Sequence, residues 1–464
     1  MTSLLRFLRT ALKHHHNYLH NLNPNPTPIY VIGNPSADLD SIISAIIYAY
    51  HASTNTPHIP LINLPNVPSG SELRRLRPEF TKALWLSTHH PAVPVPEEEW
   101  DERDPAAFLR EHCLTVSDFR SHLASSTTTT TTTSSSSTST KKDERCITAN
   151  AVLVDWNALP NLKSGSLDGL EGVRFHVLGC IDHHVDEGVL APDSHPRIIE
   201  KSGSCASLVI LALQDKGLWN QQAKHHANHD DKDSNHEHEH KDKDKDGDTE
   251  SIQTQLSTLA SVPILIDTAN LTSTDKTTPH DTSAIDRLAP HLRIPRSDLY
   301  ATVQKTKEES LDLLTLPEML DRDYKQWSEV GKTTKIEIGF CSMVRPVSWL
   351  VEKVGSPREF LNGVCDFSVE RALDVVVVMT AFSEGGRFCR ELFVVARGDV
   401  ARQAVGAFVE CNSEGLGLKG WEGRGCEALN GDEGVWRRVW VQEDLSKSRK
   451  QVAPLMREAV TSLK

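Results

Sequence analysis

Four short apolar runs in this chain each lead into acids, histidines or an amide, and that recurrence constrains the fold more than any other feature. Residues 29–32 lead into Gly33, Asn34, Asp38 and Asp40; 151–154 lead into Asp155; 174–181 lead into Asp182, His183 and His184; 262–266 lead into Asp267. Each run reads as a strand, and 41–50 and 204–214 read as helices between them. Strands alternating with helices indicate a parallel sheet. Open parallel sheets carry their functional residues at the carboxyl ends of the strands. Side chains far apart in the chain are therefore expected to meet along one sheet edge.

One carboxylate at a strand end means little, and Asp40 could be an ordinary helix N-cap. A set of converging acids is different, because like charges within a few ångströms raise one another's pKa and oppose folding. Divalent cations remove that cost. Oxygen and imidazole donors without thiolate suit Mg, Mn or Co better than structural zinc. Two such ions about 3.5–4 Å apart can act together on a phosphoryl group.

The rest of the chain narrows the class. Its 464 residues exceed one domain. The net charge of -13 argues against a general nucleic-acid or membrane-surface binder. Nine cysteines with no CxxC pair indicate neither a zinc ribbon nor a disulfide framework, and Cys180 and Cys205 read as reduced core thiols. No apolar run is long enough to span a membrane. A cytoplasmic protein is expected. The alternative is mitochondrial, because residues 1–20 are basic and amphipathic, like a presequence; the preferred reading is a first helix packed on the sheet. His14, His15 and His16 cannot share one helix face and are expected on a solvated surface.

Two insertions, about 125–142 (Ser/Thr-rich) and 222–250 (His, Asp and Lys), cannot bury apolar surface and are expected to be disordered. The His-rich tract reads as a solvated linker rather than a weak metal binder. The first domain is expected over 1–315. A linker helix near 316–327 then leads into a smaller α/β domain over 330–464, with strands at 335–340, 374–379 and 391–396 and a helix at 357–372.

The Asp182–His183–His184 triplet after an apolar strand resembles the signature of the DHH phosphoesterase superfamily. The form GN-x-x-x-D-x-D-S around Asn34, Asp38, Asp40 and Ser41 is similar to the branch holding fungal exopolyphosphatases and animal prune proteins. In that branch asparagine replaces the histidine of family II inorganic pyrophosphatases. DTANL with Lys276, Thr278 and Asp281 resembles the branch's fourth motif, RDYKQW (322–327) its interdomain segment, and SRKQVAP (448–454) the phosphate-binding stretch of its second domain.

The resemblance implies an α/β fold: a parallel-sheet DHH domain, then a smaller α/β domain, with the active site in the cleft between them. It implies two divalent metal ions (Mn2+, Mg2+ or Co2+). Asp155 would bridge them; Asp40, His183 and Asp267 would complete one site; Asp38, with Asn34 at the histidine position, would hold the other. His184 would face the substrate, and Lys325, Arg449 and Lys450 would cover its phosphates. Guanidinium and ammonium groups suit phosphate oxygens, so an acidic protein can still hold a polyanion. The small residues of SGSCASLV could present amides to phosphate, or let a helix approach the sheet; packing is preferred.

The activity implied is exopolyphosphatase, releasing orthophosphate from linear inorganic polyphosphate, with neither nucleic acid nor membrane as partner. The alternatives are a pyrophosphatase-like enzyme, a DHH nuclease or phosphodiesterase, and a prune-type non-catalytic binding protein. The asparagine disfavours the first, the lack of a glycine-rich C-terminal signature the second, and the intact acid set the third.

Overall fold

The computed structural model describes residues 3–20, 27–89, 105–128, 147–159, 165–219, 251–331, 335–423 and 425–463. The 222–250 insertion lies outside them. Of the 125–142 insertion only the first residues are described, as the end of the helix Val116–Thr128. The chain divides into two compact units, Met1–Thr306 and Lys307–Lys464.

The first unit is built on a five-stranded sheet of β1 (Ile29–Ile32), β2 (His58–Leu61), β3 (Ile147–Val154), β4 (Val173–Asp182) and β5 (Arg197–Ile199), in the order β2-β1-β3-β4-β5. Every pairing is parallel. Such sheets are stable only when both faces are covered. Val31 faces a core shared with the helices Leu39–Ala52, Cys205–Asp215 and Ile252–Asp267, while Tyr30 and Ile32 face a second core containing Phe119, Leu153 and Phe175. The chain leaves β1 in opposite directions toward β2 and β3. The β1/β3 carboxyl ends are thus the switch point where open α/β sheets bind ligands. Register sets Ile32 beside Leu153 and Val154 beside Ile181, so Asn34, Asp155 and Asp182 emerge at one edge.

Several expectations need correction. Residues 262–266 are not a strand: they close the helix Ile252–Asp267, buried from Gln255 to Ile266. A short all-apolar run has the same periodicity in a buried helix as in a buried strand. Asp40 likewise lies in the first turn of the helix Leu39–Ala52 rather than on a strand end. His15 is a further departure. The helix Leu4–Leu19 buries Leu4, Leu8, Ala11, His15 and Leu19 on one face, leaving His14 and His16 exposed. His15 stays inside because its Nδ1 is 2.9 Å from the Tyr30 hydroxyl and its Nε2 3.2 Å from His122.

The second unit carries a mixed six-stranded sheet of β6 (Tyr324–Val330), β7 (Lys335–Met343), β8 (Val375–Thr380), β11 (Glu391–Ala396), β12 (Leu418–Gly420) and β13 (Trp436–Gln442), ordered β12-β13-β11-β8-β7-β6. The hairpin of β9 (Phe382–Glu384) and β10 (Arg387–Cys389) stands apart from it. One face packs on the helices Gly398–Leu416 and Arg449–Thr461 through Val394, Phe408 and Met456. On the other, Phe393 meets Phe360 of the helix Pro357–Glu370. The stretch expected as a linker helix ends early: the helix Leu316–Arg322 gives way to β6, an edge strand paired antiparallel with β7. No described helix is long and apolar enough to cross a membrane.

Candidate metal centre

Three loops after β1, β3 and β4 and the starts of two helices build the site. After β1, Gly33 lets the backbone pass Ser41, where an added Cβ would lie 2.7 Å from the Ser41 Cβ. Ala37 then takes a left-handed conformation (φ 44°), uncommon for a residue with a side chain. Arg77, fully buried, holds this turn by donating to the Ser36 carbonyl and, at 2.8 Å, to the Ala37 carbonyl. Asp38 caps the following helix by accepting from the Ser41 amide at 3.0 Å. Asp155 is itself left-handed (φ 55°), as are Ala269, Asn270 and Leu271 after Asp267. Strained backbone therefore recurs at three of the four motifs, a pattern typical of functional sites.

These loops bring Asp155, His183 and His184 together, with one ligand atom from each within 4.8 Å of the others. The Asp155 Oδ2 accepts from the Ser41 hydroxyl (2.6 Å) and the Asn34 amide (2.8 Å). Its Oδ1 lies 3.1 Å from His183 Nε2, which is 3.9 Å from the Asp40 Oδ2. His183 Nδ1 is 3.1 Å from the Ser202 carbonyl. A carbonyl only accepts, so Nδ1 carries a proton and Nε2 is the ring atom turned toward the two carboxylates. A divalent cation among these atoms satisfies all three groups, and the donor set fits such an ion.

The electrostatics agree. Burial raises the Asp40 pKa well above its ordinary value, and the charges of Asp155, Asp267 and Asp38 push it further up, against a smaller opposite effect of His183. Asp40 is held by three donors at the start of the helix Cys205–Asp215: the Ser204 hydroxyl (2.8 Å) and the amides of Cys205 (2.6 Å) and Ala206 (2.9 Å). Burial also works against charge on Asp182. The hydrogen bond from His184, the charges of His184 and His183 and the Asn157 amide outweigh it, holding Asp182 down to about 2. His184 Nδ1 donates to Asp182 Oδ1 at 2.8 Å, which leaves Nε2 of this partly exposed ring as the group for other partners.

Asn34 lies beside Asp155 with its amide turned to that carboxylate and its oxygen to Ser36. Asp38 and Asp267 reach Asp40 through their charges. Lys325, Arg449 and Lys450 belong to the second unit. Lys325 sits on β6. Arg449 opens the helix Arg449–Thr461 and donates to the Asp323 carbonyl and carboxylate at 2.8 Å each. Lys450 follows it behind the Ser448 cap. Ser41 and Ser204 lie within the quoted motifs and Asn157 two positions past Asp155, but all three carry contacts that residue type alone did not assign. Arg77 had no motif to mark it.

A parallel α/β unit with acids and histidines at its switch point is followed by a mixed α/β unit. Residues 302–459 match the DHHA2 domain family. Over 98% of its length the chain is 27% identical to 97% of a Schizosaccharomyces pombe protein described as "Putative exopolyphosphatase". Among solved structures, a Methanococcus jannaschii chain described as a "putative family II inorganic pyrophosphatase" matches at a TM-score of 0.50 and 17% identity, covering 93% of this chain and 99% of that one. Residues 302–459 thus carry a DHHA2 domain, and the chain as a whole is similar to proteins of the DHH phosphoesterase type.

Proposed function

We propose that this protein is a metal-dependent phosphoanhydride hydrolase acting as an exopolyphosphatase on the ends of linear inorganic polyphosphate. The convergence of Asp155, His183 and His184, with Asp40 against His183, is the observation that carries the reading. Likeness to the S. pombe protein over nearly the whole chain supports the choice among phosphoanhydrides.

In this reading Asp155, Asp40, His183 and Asp267 would hold one divalent ion, and Asp155 and Asp38, with Asn34 alongside, a second. When bound, the metals supply Lewis acidity toward a phosphoryl oxygen and lower the pKa of water. The Ser202 carbonyl fixes the His183 tautomer that turns Nε2 inward. Asp182 does the same for His184, whose Nε2 then binds a phosphoryl oxygen or moves a proton. Ser41 and Asn34 hold Asp155 in place, so little reorganisation is needed as charge develops. Lys325, Arg449 and Lys450 are the candidate cations for phosphate oxygens in the same reading.

Phosphate release from pyrophosphate, tripolyphosphate and long polyphosphate, with and without manganese or magnesium, tests this. Manganese-dependent release from the longer chains that disappears in Asp155→Ala is expected. Exclusive hydrolysis of pyrophosphate would move the assignment to a pyrophosphatase, and near-normal release by Asp155→Ala would remove the site.

A further inference from the structure

Asp281 sits outside the candidate ligand set, yet it is completely buried and gathers more hydrogen bonds than any single cap requires. It accepts from the Ser202 hydroxyl (3.0 Å), the Gly203 amide (2.9 Å), the Ser204 amide (3.2 Å) and the Ser207 hydroxyl (2.6 Å). It also accepts from the amide and hydroxyl of Thr278, at 2.7 and 2.8 Å, closing the capping box of the helix Pro279–Leu288. The cap explains the Thr278 contacts. The other four run 74–79 positions back along the chain, to one loop and the first turn of the helix Cys205–Asp215 that follows it.

That loop touches the metal centre on both sides. Its Ser202 carbonyl meets His183 Nδ1, and Ser204, Cys205 and Ala206 supply the donors to Asp40. Gly203 shows how tightly it is seated: an added Cβ would lie 2.7 Å from the Thr268 methyl, 2.8 Å from the Asp281 Oδ2 and 2.9 Å from the Lys276 carbonyl. A shift of this loop would turn His183 and release Asp40 together.

We infer that Asp281 is a positioning residue of the metal centre, acting through residues 202–206 to set both Asp40 and His183. This rests on the proposed reading of those two residues as ligands. Asp281 would touch neither metal nor substrate. Partners of this kind that orient metal ligands change metal affinity by roughly 10–100-fold when lost.

The test uses the full chain stripped with EDTA and titrated with Mn2+ by calorimetry, for wild type, Asp281→Asn, Gly203→Ala and Thr278→Ala. Asp281→Asn and Gly203→Ala act on opposite sides of the same contact. Each is expected to weaken Mn2+ binding by about tenfold or more, while the rate of phosphate release recovers substantially at saturating Mn2+. Thr278→Ala removes part of the helix cap only; it is expected to lower the melting temperature and leave Mn2+ affinity within about twofold, because the loop-side donors to Asp281 remain. If Asp281→Asn does not fold, Gly203→Ala decides. A folded Asp281→Asn or Gly203→Ala with wild-type affinity, or Thr278→Ala weakening Mn2+ as much as they do, overturns the inference. A wild type that binds Mn2+ with the expected variant pattern but releases no phosphate upholds the positioning role and sinks the proposed activity. A wild type that binds no divalent ion sinks both.

Discussion

Replacing Asp155 with asparagine should change stability in opposite directions with and without metal. Without metal, Asp155 is a buried charge whose Oδ1 is 3.1 Å from His183 Nε2 and which pushes up the pKa of Asp40. An asparagine can keep its oxygen where Ser41 and Asn34 donate and turn its NH2 toward His183 Nε2. That removes the repulsion against Asp40 and replaces the Asp155–His183 pairing with a hydrogen bond worth about 1 kcal/mol net. With metal the balance reverses. At a thousandfold excess over Kd a ligand stabilises by about 4 kcal/mol. For a unit the size of Met1–Thr306, unfolding entropy of roughly 0.6 kcal/mol/K converts that into about 6 °C. Differential scanning calorimetry in EDTA and in saturating Mn2+ reads both. In EDTA, Asp155→Asn should melt level with wild type or about 1–2 °C above it. In Mn2+ only the wild type should gain the full shift. A variant melting several degrees lower in EDTA, or gaining as much from Mn2+ as wild type, would refute the view that the cluster is assembled for a cation.

Three further outcomes follow from contacts elsewhere. Burial, then the neighbouring His122 and His16, hold the His15 pKa well below 6.5. The unfolded chain therefore binds the extra proton first. The stability associated with a neutral His15 is intact above about pH 6.5 and falls by up to about 1.4 kcal/mol per pH unit below it; His15→Gln should flatten that slope in denaturant titrations between pH 6.5 and 5. Arg77→Met leaves the Ser36 and Ala37 carbonyls without their guanidinium donors and should cost about 3 kcal/mol in urea unfolding, against less than 1 for an exposed arginine. Phe408→Ala empties a fully buried position in the second unit and should destabilise that unit by about 3–5 kcal/mol, with Mn2+ affinity unchanged by calorimetry.

Strands in both units were legible where they are short apolar, β-branched runs bounded by turn residues: 29–32 coincides with β1 of the first unit and 391–396 with β11 of the second. Where the local signal is degenerate, reading failed. The run 262–266 is equally apolar in strand or helix, and only its burial within a sixteen-residue helix settles it. His15 looked solvated because a histidine triplet is polar on composition, although one of three consecutive helical positions must turn inward. The ligand candidates Asp40, Asp155 and His183 stood out because acids and histidines after apolar runs are conspicuous. Their supports did not. Ser41 reaches Asp155 across 114 positions, and Ser204 reaches Asp40 across 164. Nothing in a serine's local sequence announces a partner that remote.

The start of the helix Cys205–Asp215 has a chemical consequence for substrate binding. The N-terminal amides of a helix form a natural anion site, and small residues such as those of SGSCASLV would let phosphate approach. Here the amides of Gly203 and Ser204 go to Asp281, and those of Cys205 and Ala206 to Asp40. The anions this terminus stabilises are the protein's own carboxylates. It holds Asp40 in a buried place where neighbouring acids oppose its charge, and it leaves no such cradle for a phosphate. Under the proposed activity, bound divalent ions then become a main source of positive charge for a polyphosphate on a chain of net charge -13. Metal loading and substrate binding are coupled for that reason: removing the cations leaves a polyanion facing a cluster of acids, so chelation should abolish substrate affinity as well as turnover.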